Sequence, residues 1–520
     1  MKWKAAPKKS DDLIEQLLIN RRIENKISFF NTKISDYKKD LQIPGIDKAN
    51  KRIVQAIKNQ ELIIVYGDYD VDGICASAIV YKALTFLGAK ILPYIPHREK
   101  EGYGLSKTGL DSVKKSGASL VITVDNGIVA LDQAKYAKEL GLDLIITDHH
   151  TFGKEKPVAY EIVHSTKMCG AAVAWCLIRD LIEKELAKDL LQFVAMATVC
   201  DLLPLVGLGR AFTVEGLGVL NKTENPGLLA LVSESGILGK LSSFEIGYII
   251  GPRINAMGRL EHAIDSLRLL CTKDPLKAKR LAKLLSETNS TRQKMTMEAI
   301  EQAKLLVDEK QKILCLSSKN WSAGIIGLVA GKITEQYCRP TIAISQGEEI
   351  SKGSARSVDG INIVEVIRKH RDILIDVGGH PGAAGFSIET KHIEIFKKRI
   401  EQTDISLPGE KVLQIDAEVK SGQLTKRFVE DLQKFEPFGL GNPRPVFSTR
   451  GMQILDLRTV GQGKHLKFKA DNIDVIAFGM GELADMLQNG QQIDLAYTPE
   501  IDHYQVSEKL QLKVKDIKLC

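Results

Sequence analysis

Tyr66-Gly67-Asp68-Tyr69-Asp70-Val71-Asp72-Gly73 decides how the rest of the chain reads. It follows the apolar run Leu62–Val65 and precedes Ile74–Leu87, which is rich in Ala, Ile, Val and Leu. That order reads as a buried strand, a tight turn and a helix. The three carboxylates alternate at the strand's carboxyl end, where an open parallel sheet places its ligands. A single Asp there would serve equally well as an acidic surface turn. Three together concentrate negative charge, which is costly unless a cation offsets it. Hard oxygen ligands of this kind suit magnesium or manganese.

Working outward, the pattern repeats. Leu120–Val124 is a second apolar strand and ends in Asp125-Asn126-Gly127; Leu142–Thr147 is a third and ends in Asp148-His149-His150. Helical stretches such as Ala130–Leu140 lie between them, so strands alternating with helices argue for a parallel sheet covered on both faces. Three strands thus end at acidic residues on one edge, and side chains distant in sequence can converge there. The imidazoles suit a transition metal such as manganese. Phe193–Val199 leads to Asp201, which taken alone reads as a cap or turn residue.

A chain of 520 residues holds about three domains. Hydrophobic content of 44% and charged content of 26% are those of a soluble globular protein, and a net charge of +7 permits a polyanionic partner without requiring one. The eight cysteines form no CxxC pair, which points to a reducing cytoplasm and away from a zinc ribbon. Met1-Lys2-Trp3-Lys4 lacks an apolar signal core, and no run is long enough to span a membrane. Lys8–Asp40 reads as helical or irregular, Ile43-Pro44-Gly45 as a turn, and Asp47 as the cap of a helix through Ile57 that delivers the chain into the first strand.

Further along, Arg253, Asn255 and Arg259 lie in a Gly/Pro-punctuated segment, where arginine reads first as surface ion pairing. Asp274-Pro275 starts a helix that runs to about Val307. Its middle, Ser286–Lys294, is almost free of apolar residues, which predicts an exposed connector between domains. Lys312–Leu316 reads as a strand and Trp321–Ile333 as a glycine-bearing turn into a helix. Ser354-Ala355-Arg356-Ser357 and the glycine cluster Gly378–Gly385 follow, the latter suited to bringing backbone N–H groups close to phosphate. His465–Lys469 and Leu510–Lys515 alternate apolar and polar residues, as strands of a small barrel do. Lys464, Lys467, Lys469, Lys513 and Lys515 would give that barrel a basic face suited to a single strand.

These motifs, in this order, resemble those of the DHH phosphoesterase superfamily, and within it the RecJ family of single-stranded-DNA-specific exonucleases. Pro96-His97-Arg98, Glu101-Gly102-Tyr103-Gly104-Leu105, Gly251-Pro252-Arg253-Ile254-Asn255-Ala256-Met257-Gly258-Arg259 and Phe435–Pro443 are similar to further segments of that family. The resemblance implies an N-terminal extension (1–60), an α/β parallel-sheet DHH domain (61–273), a long connector helix (274–310), an α/β DHHA1 domain (311–405) and a C-terminal OB-type β-barrel (411–520). It implies two Mn2+ or Mg2+ ions on Asp70, Asp72, Asp125, His149 and Asp201, with Asp125 bridging. Asp68, Asp148 and His150 would either ligate the ions or sit behind them, orienting ligands or touching the scissile phosphate, and Arg253, Asn255, Arg259, Ser354, Arg356 and His380 would hold substrate phosphate. The implied activity is 5′→3′ removal of mononucleotides from single-stranded DNA in recombination and repair, in a cytoplasmic monomer working with a helicase and a single-strand-binding protein. Two departures stand out. Ser322 follows Trp321 where relatives commonly carry His, and Ile162-Val163-His164-Ser165 stands where they commonly carry Asn-Pro. The alternatives are a DHH phosphodiesterase for short oligonucleotides or cyclic dinucleotides, a more distant pyrophosphatase, and a binding protein that has lost catalysis. The long connector and barrel argue against the first two. The complete set of ligand residues argues against the third.

Overall fold

The structure, a computed structural model, describes residues 1–407, 409–502 and 509–519. It divides into two compact units, one of residues 41–201 with 218–409 and one of residues 1–40, 202–217 and 410–520.

The larger unit is built on a five-stranded parallel sheet. Its order from edge to edge is Lys90–Tyr94, Leu62–Tyr66, Leu120–Val124, Asp143–Asp148 and Glu161–His164. In chain order that is 2-1-3-4-5, so the connections run opposite ways on the two sides of the pair Leu62–Tyr66 and Leu120–Val124. A crevice opens at the carboxyl ends of such a pair. Every residue of Leu120–Val124 is buried, which is why the strand is apolar on both faces. The helix Val71–Phe86 behind the first strand is buried almost all round, and its Ala, Ile and Val content follows from that.

The same unit carries a second sheet, ordered Leu374–His380, Ala383–Glu389, Ile350–Arg356, Thr341–Ser345 and Leu314–Ser318. Only the last pair is parallel, joined by the helix Ile326–Tyr337. The glycine cluster Gly378–Gly385 is a β-hairpin. Gly378 and Gly379 lie in one strand and pair with Gly385 and Ala384 of the next. Alternation is hard to see in a sequence whose positions are mostly glycine and alanine.

The helix Pro275–Leu305 starts at Asp274, whose carboxylate accepts the N–H groups of Leu276 and Lys277. Its polar middle is exposed along most of its length, at Glu287, Ser290, Thr291, Gln293 and Lys294. Thr288 and Asn289 are buried on the other side, and the helix packs against those at Gly251–Leu260, Pro226–Glu234 and Ile326–Tyr337.

The smaller unit is a six-stranded sheet in which pairing of Phe447–Val460 with Gln492–Asp502 closes five strands into a barrel. Phe435, Phe447, Phe468 and Tyr497 fill it. The extension predicted for residues 1–60 is divided in the structure. Lys2–Ala5 pairs in parallel with Val412–Ile415, the Trp3 indole N–H donates to Asp516 at 2.7 Å, and Leu17 and Leu18 join the barrel core. Only the helix Ile46–Lys58 belongs to the larger unit. Arg210 is buried in the smaller unit, where its guanidinium donates to the carbonyls of Phe29, Phe435 and Glu436. No helix among the described residues is long and apolar enough to cross a membrane.

Candidate metal centre and phosphate site

The crevice gathers acidic residues from four elements. Asp70 caps the helix Val71–Phe86 by accepting the Gly73 N–H at 3.1 Å. Asp72, one turn in, accepts the N–H groups of Gly170 and Ala171 at 2.7 and 2.6 Å, at the start of the helix Gly170–Ile178. A helix N-terminus holds a carboxylate well. Asp125 follows its strand with φ +62°, a left-handed conformation that costs energy for a residue with a Cβ. Asn126 makes this turn rigid by donating to the carbonyls of Tyr66 and Val124, which joins the two central strands. Asp201 ends the helix Leu191–Cys200.

His149 Nε2 lies 3.2 Å from Asp125, 3.5 Å from Asp201 and 3.6 Å from Asp72. Three sets of ligand atoms stand close enough to share an ion: Asp125, His149 and His150; Asp72, His149 and Asp201; Asp68, Asp70 and Asp125. The fit to a cation shows in what these groups lack. The Oδ1 atoms of Asp68 and Asp125 and the Nε2 of His149 are buried without a hydrogen-bond partner. Buried polar atoms are normally paired, so orphans facing one another mark a place for an ion.

Charge tells the same story. Burial, then repulsion from Asp70, raises Asp72 to about 7 and Asp68 well above the carboxylate range. Burial, then Asp72 and Asp70, raises Asp125 likewise, and burial, then Asp72, takes Asp201 to about 8. Burial and the neighbouring His150 depress His149 to about 4, which keeps its ring neutral, as a ligand must be. His150 behaves oppositely. Burial works against its charge, but the hydrogen bond and charge of Asp148 outweigh it and lift the ring to about 9.

Asp148 differs from the other carboxylates. It accepts from the N–H groups of Ile128, His149 and His150 and is bonded to the His150 ring at 2.8 Å. Its oxygens are fully used in holding the histidine turn. His164, the departure noted in the sequence, also serves this turn by donating from Nε2 to the His150 carbonyl at 2.7 Å.

A cationic cluster shares the same unit. Arg259 is lowered to about 10 by burial and by the charges of Arg98, Arg292 and Arg356. Arg98 lies over the Tyr69 ring at 5.1 Å, in the acidic motif itself. Among the described residues none of the four guanidinium groups has a carboxylate within ion-pair distance, although Arg259 donates to the Gly324 carbonyl, Arg292 to Asn289 Oδ1 and Arg356 to the Ala355 carbonyl. Arg356 and Ser354 share a face of their strand with the Arg356 guanidinium 3.3 Å from Ser354 Oγ. Gly327 provides their space, since a Cβ there would sit 3.1 Å from both side chains. His380 is exposed and falls on the same rung as Arg356, two strands away.

Two residues expected at the phosphate have other partners. Arg253 donates to the Ile249 carbonyl and to Ser286 Oγ. Asn255 accepts the Val71 N–H at 3.0 Å, which secures the acidic turn. Arg98 and Arg292 were not singled out from sequence. Arg98 stood in the quoted Pro96-His97-Arg98 segment, and Arg292 was masked by the polar reading of its helix.

In the smaller unit, Lys467, Ile476 and Lys513 form one rung across three barrel strands. Phe478 is half-exposed beside them, with the Lys513 ammonium over its ring at 5.2 Å.

Comparison with known proteins agrees with this architecture. Residues 62–198 match the DHH family, N-terminal domain; residues 310–403 match the DHHA1 domain; residues 415–516 match the RecJ OB domain. Fold and crevice therefore define a DHH-family protein with two appended domains. The chain is 35% identical over 531 residues to the single-stranded-DNA-specific exonuclease RecJ of Bacillus subtilis, covering 97% of this chain and 67% of that one. It is 32% identical to the RecJ of Haemophilus influenzae, covering 97% and 96%. The crystal structure of RecJ in complex with Mn2+ from Thermus thermophilus superposes with a TM-score of 0.84 at 27% identity, covering 99% of this chain and 79% of that one. A crystal structure of exonuclease RecJ bound to manganese gives 0.63 at 34% identity, covering 69% and 94%. The chain belongs to the RecJ family.

Proposed function

We propose that this protein is a metal-dependent exonuclease that degrades single-stranded DNA from its 5′ end and releases 5′-mononucleotides in recombination and repair. The observation that carries this reading is the pairing of two opposite clusters in one unit. Buried carboxylate and imidazole atoms lack partners in one, and four guanidinium groups lack carboxylates in the other.

Asp70, Asp72, Asp125, His149 and Asp201 would hold two Mn2+ or Mg2+ ions, with Asp68 beside them. Bound divalent ions supply positive charge to a phosphodiester that repels hydroxide, and they acidify water. The chain's own residues do the rest. Asp148 fixes the backbone and ring of the histidine turn. His150 is the group left to exchange a proton with the leaving 3′ oxygen. Arg259, Arg356 and Ser354, with Arg98 and Arg292, grip phosphate oxygens and orient the strand. His380 stands at the margin of that grip. Asn255 supports the acidic turn through the Val71 N–H and reaches the substrate only indirectly, and Arg253 is turned to the Ile249 carbonyl and Ser286. The barrel lysines hold the strand further along by charge, with Phe478 available for stacking. The protein works as a cytoplasmic monomer, and a helicase and a single-strand-binding protein supply and shield its substrate. The expected domain limits, 61–273, 274–310, 311–405 and 411–520, are kept as functional divisions, with residues 1–40 assigned to the barrel.

The test uses purified protein, Mn2+ and a 5′-labelled long single strand, beside its duplex and a cyclic dinucleotide. Rapid release of labelled mononucleotide from the long single strand, abolished by Asp125→Ala, supports the proposal. An intact long strand with cleavage of the cyclic dinucleotide overturns it in favour of a small-substrate phosphodiesterase.

A further inference from the structure

Two histidines outside the metal centre face each other across a seam near the arginine cluster. The rings of His97 and His262 pack edge to face with centroids 5.8 Å apart. His97 lies in the loop after the strand Lys90–Tyr94, and His262 just after the helix Gly251–Leu260. The same two segments meet at the arginines. Arg98 covers Tyr69, and Gly258, beside Arg259, lies against the Tyr69 backbone so closely that a Cβ there would be 2.5 Å from its carbonyl oxygen.

The tautomer of both rings is set by their surroundings. His97 Nδ1 accepts the Glu99 N–H at 3.3 Å, and His262 Nδ1 accepts the Ile264 N–H at 3.1 Å. Each neutral ring therefore carries its proton on Nε2. That arrangement excludes a metal site through Nε2 and leaves two N–H donors. The nearby carboxylates are already engaged. Glu101 accepts from Tyr94, Ser106 and the His97 backbone, and Asp265 accepts from Arg268. Among the described residues neither Nε2 has an acceptor, although both rings are half-buried. Burial and the facing His97 also disfavour a charge on His262.

We propose that His97 and His262 form a two-donor subsite for a backbone phosphate of the DNA strand, adjoining the arginine cluster. This rests on the reading of the protein as a single-strand nuclease. The arginines bind phosphate by charge and displace counter-ions. The histidine pair adds directed N–H hydrogen bonds to those charge contacts.

The experiment compares full-length wild type with two double variants. His97→Phe with His262→Phe keeps the ring packing and removes both donors. His97→Gln with His262→Gln keeps a side-chain N–H near each Nε2 position. The dissociation constant of a 5′-phosphorylated oligonucleotide is read by fluorescence anisotropy in EDTA over a salt series, and KM and kcat are read in Mn2+. The Phe variant should bind about tenfold more weakly at every salt concentration, with a KM raised about tenfold and kcat within about twofold. The Gln variant should recover most of that loss. Wild-type affinity in the Phe variant overturns the proposal. So does a loss that Gln does not repair, which would make the pair a structural clasp. Should the Phe double variant fail to fold, His262→Phe against His262→Gln reads the same difference. A wild type that binds the oligonucleotide without hydrolysing it would defeat the nuclease reading alone, because the binding arm needs no turnover.

Discussion

Asp125 combines a left-handed backbone, complete burial and an oxygen without a partner, each unfavourable without a cation. Asp125→Asn removes one of the crowded charges while keeping the shape. In EDTA at about pH 8 its Tm should exceed that of wild type, while nuclease activity and the Tm rise on adding Mn2+ are both lost; thermal melts with and without the ion check this. The wider cluster gives metal-free protein a pH dependence of definite sign. Asp72 and Asp201 hold their protons up to about 7 and 8 in the folded chain, above the carboxylate values of the unfolded chain. Their contribution is therefore full below the unfolded pKa and is lost as pH rises through those folded values. Metal-free Tm should fall between about pH 4 and about pH 8, and saturating Mn2+ should flatten the fall; a flat profile in EDTA would show that the cluster is not crowded as described. At this scale the sequence was informative wherever a residue's task is set by its chain neighbours, as for Asp70 capping its own helix. It was uninformative for Asp148. A ligand and a residue that holds ligands in place look alike until the partners of their oxygens are known.

The helix Gly170–Ile178 does its work through its first turn. Two N–H groups fix Asp72, and the absence of a Cβ on Gly170 leaves room for Asp125. A Cβ there would lie 2.6 Å from both Cβ and Oδ1 of Asp125. Gly170→Ala should cost about 1–3 kcal/mol by denaturant melts and at least tenfold in Mn2+ affinity by titration, with backbone shape retained by circular dichroism. Nothing in the run Gly170–Ile178 names this role, because its sequence reads only as an apolar helix. The connector helix is the converse case. Its start at Asp274-Pro275 is a local signal and was readable, and so was the exposure of most of its polar centre. That Asn289 is buried there and holds the guanidinium of Arg292 at 2.9 Å was not.

On the proposed function, polyanion binding is divided between the arginine cluster of one unit and the lysine rung of the other. Lys467→Ala with Lys513→Ala should reduce the magnitude of the salt slope of single-strand binding by about 1.4, while leaving cleavage of a dinucleotide unchanged. An unchanged slope on a long strand would remove the barrel from the binding path. The sequence by itself determined the parallel sheet, the acidic strand ends, the capped helix and the alternating barrel strands. Each of these follows from side-chain periodicity and turn chemistry among residues close together in the chain. Only the tertiary structure decided that Lys2–Ala5 pairs with Val412–Ile415, that Asp72 is held by Gly170 and Ala171, and that Arg98, Arg259, Arg292 and Arg356 form one cluster. Those associations depend on which buried surfaces meet once distant segments pack, and no local pattern in the chain encodes that choice.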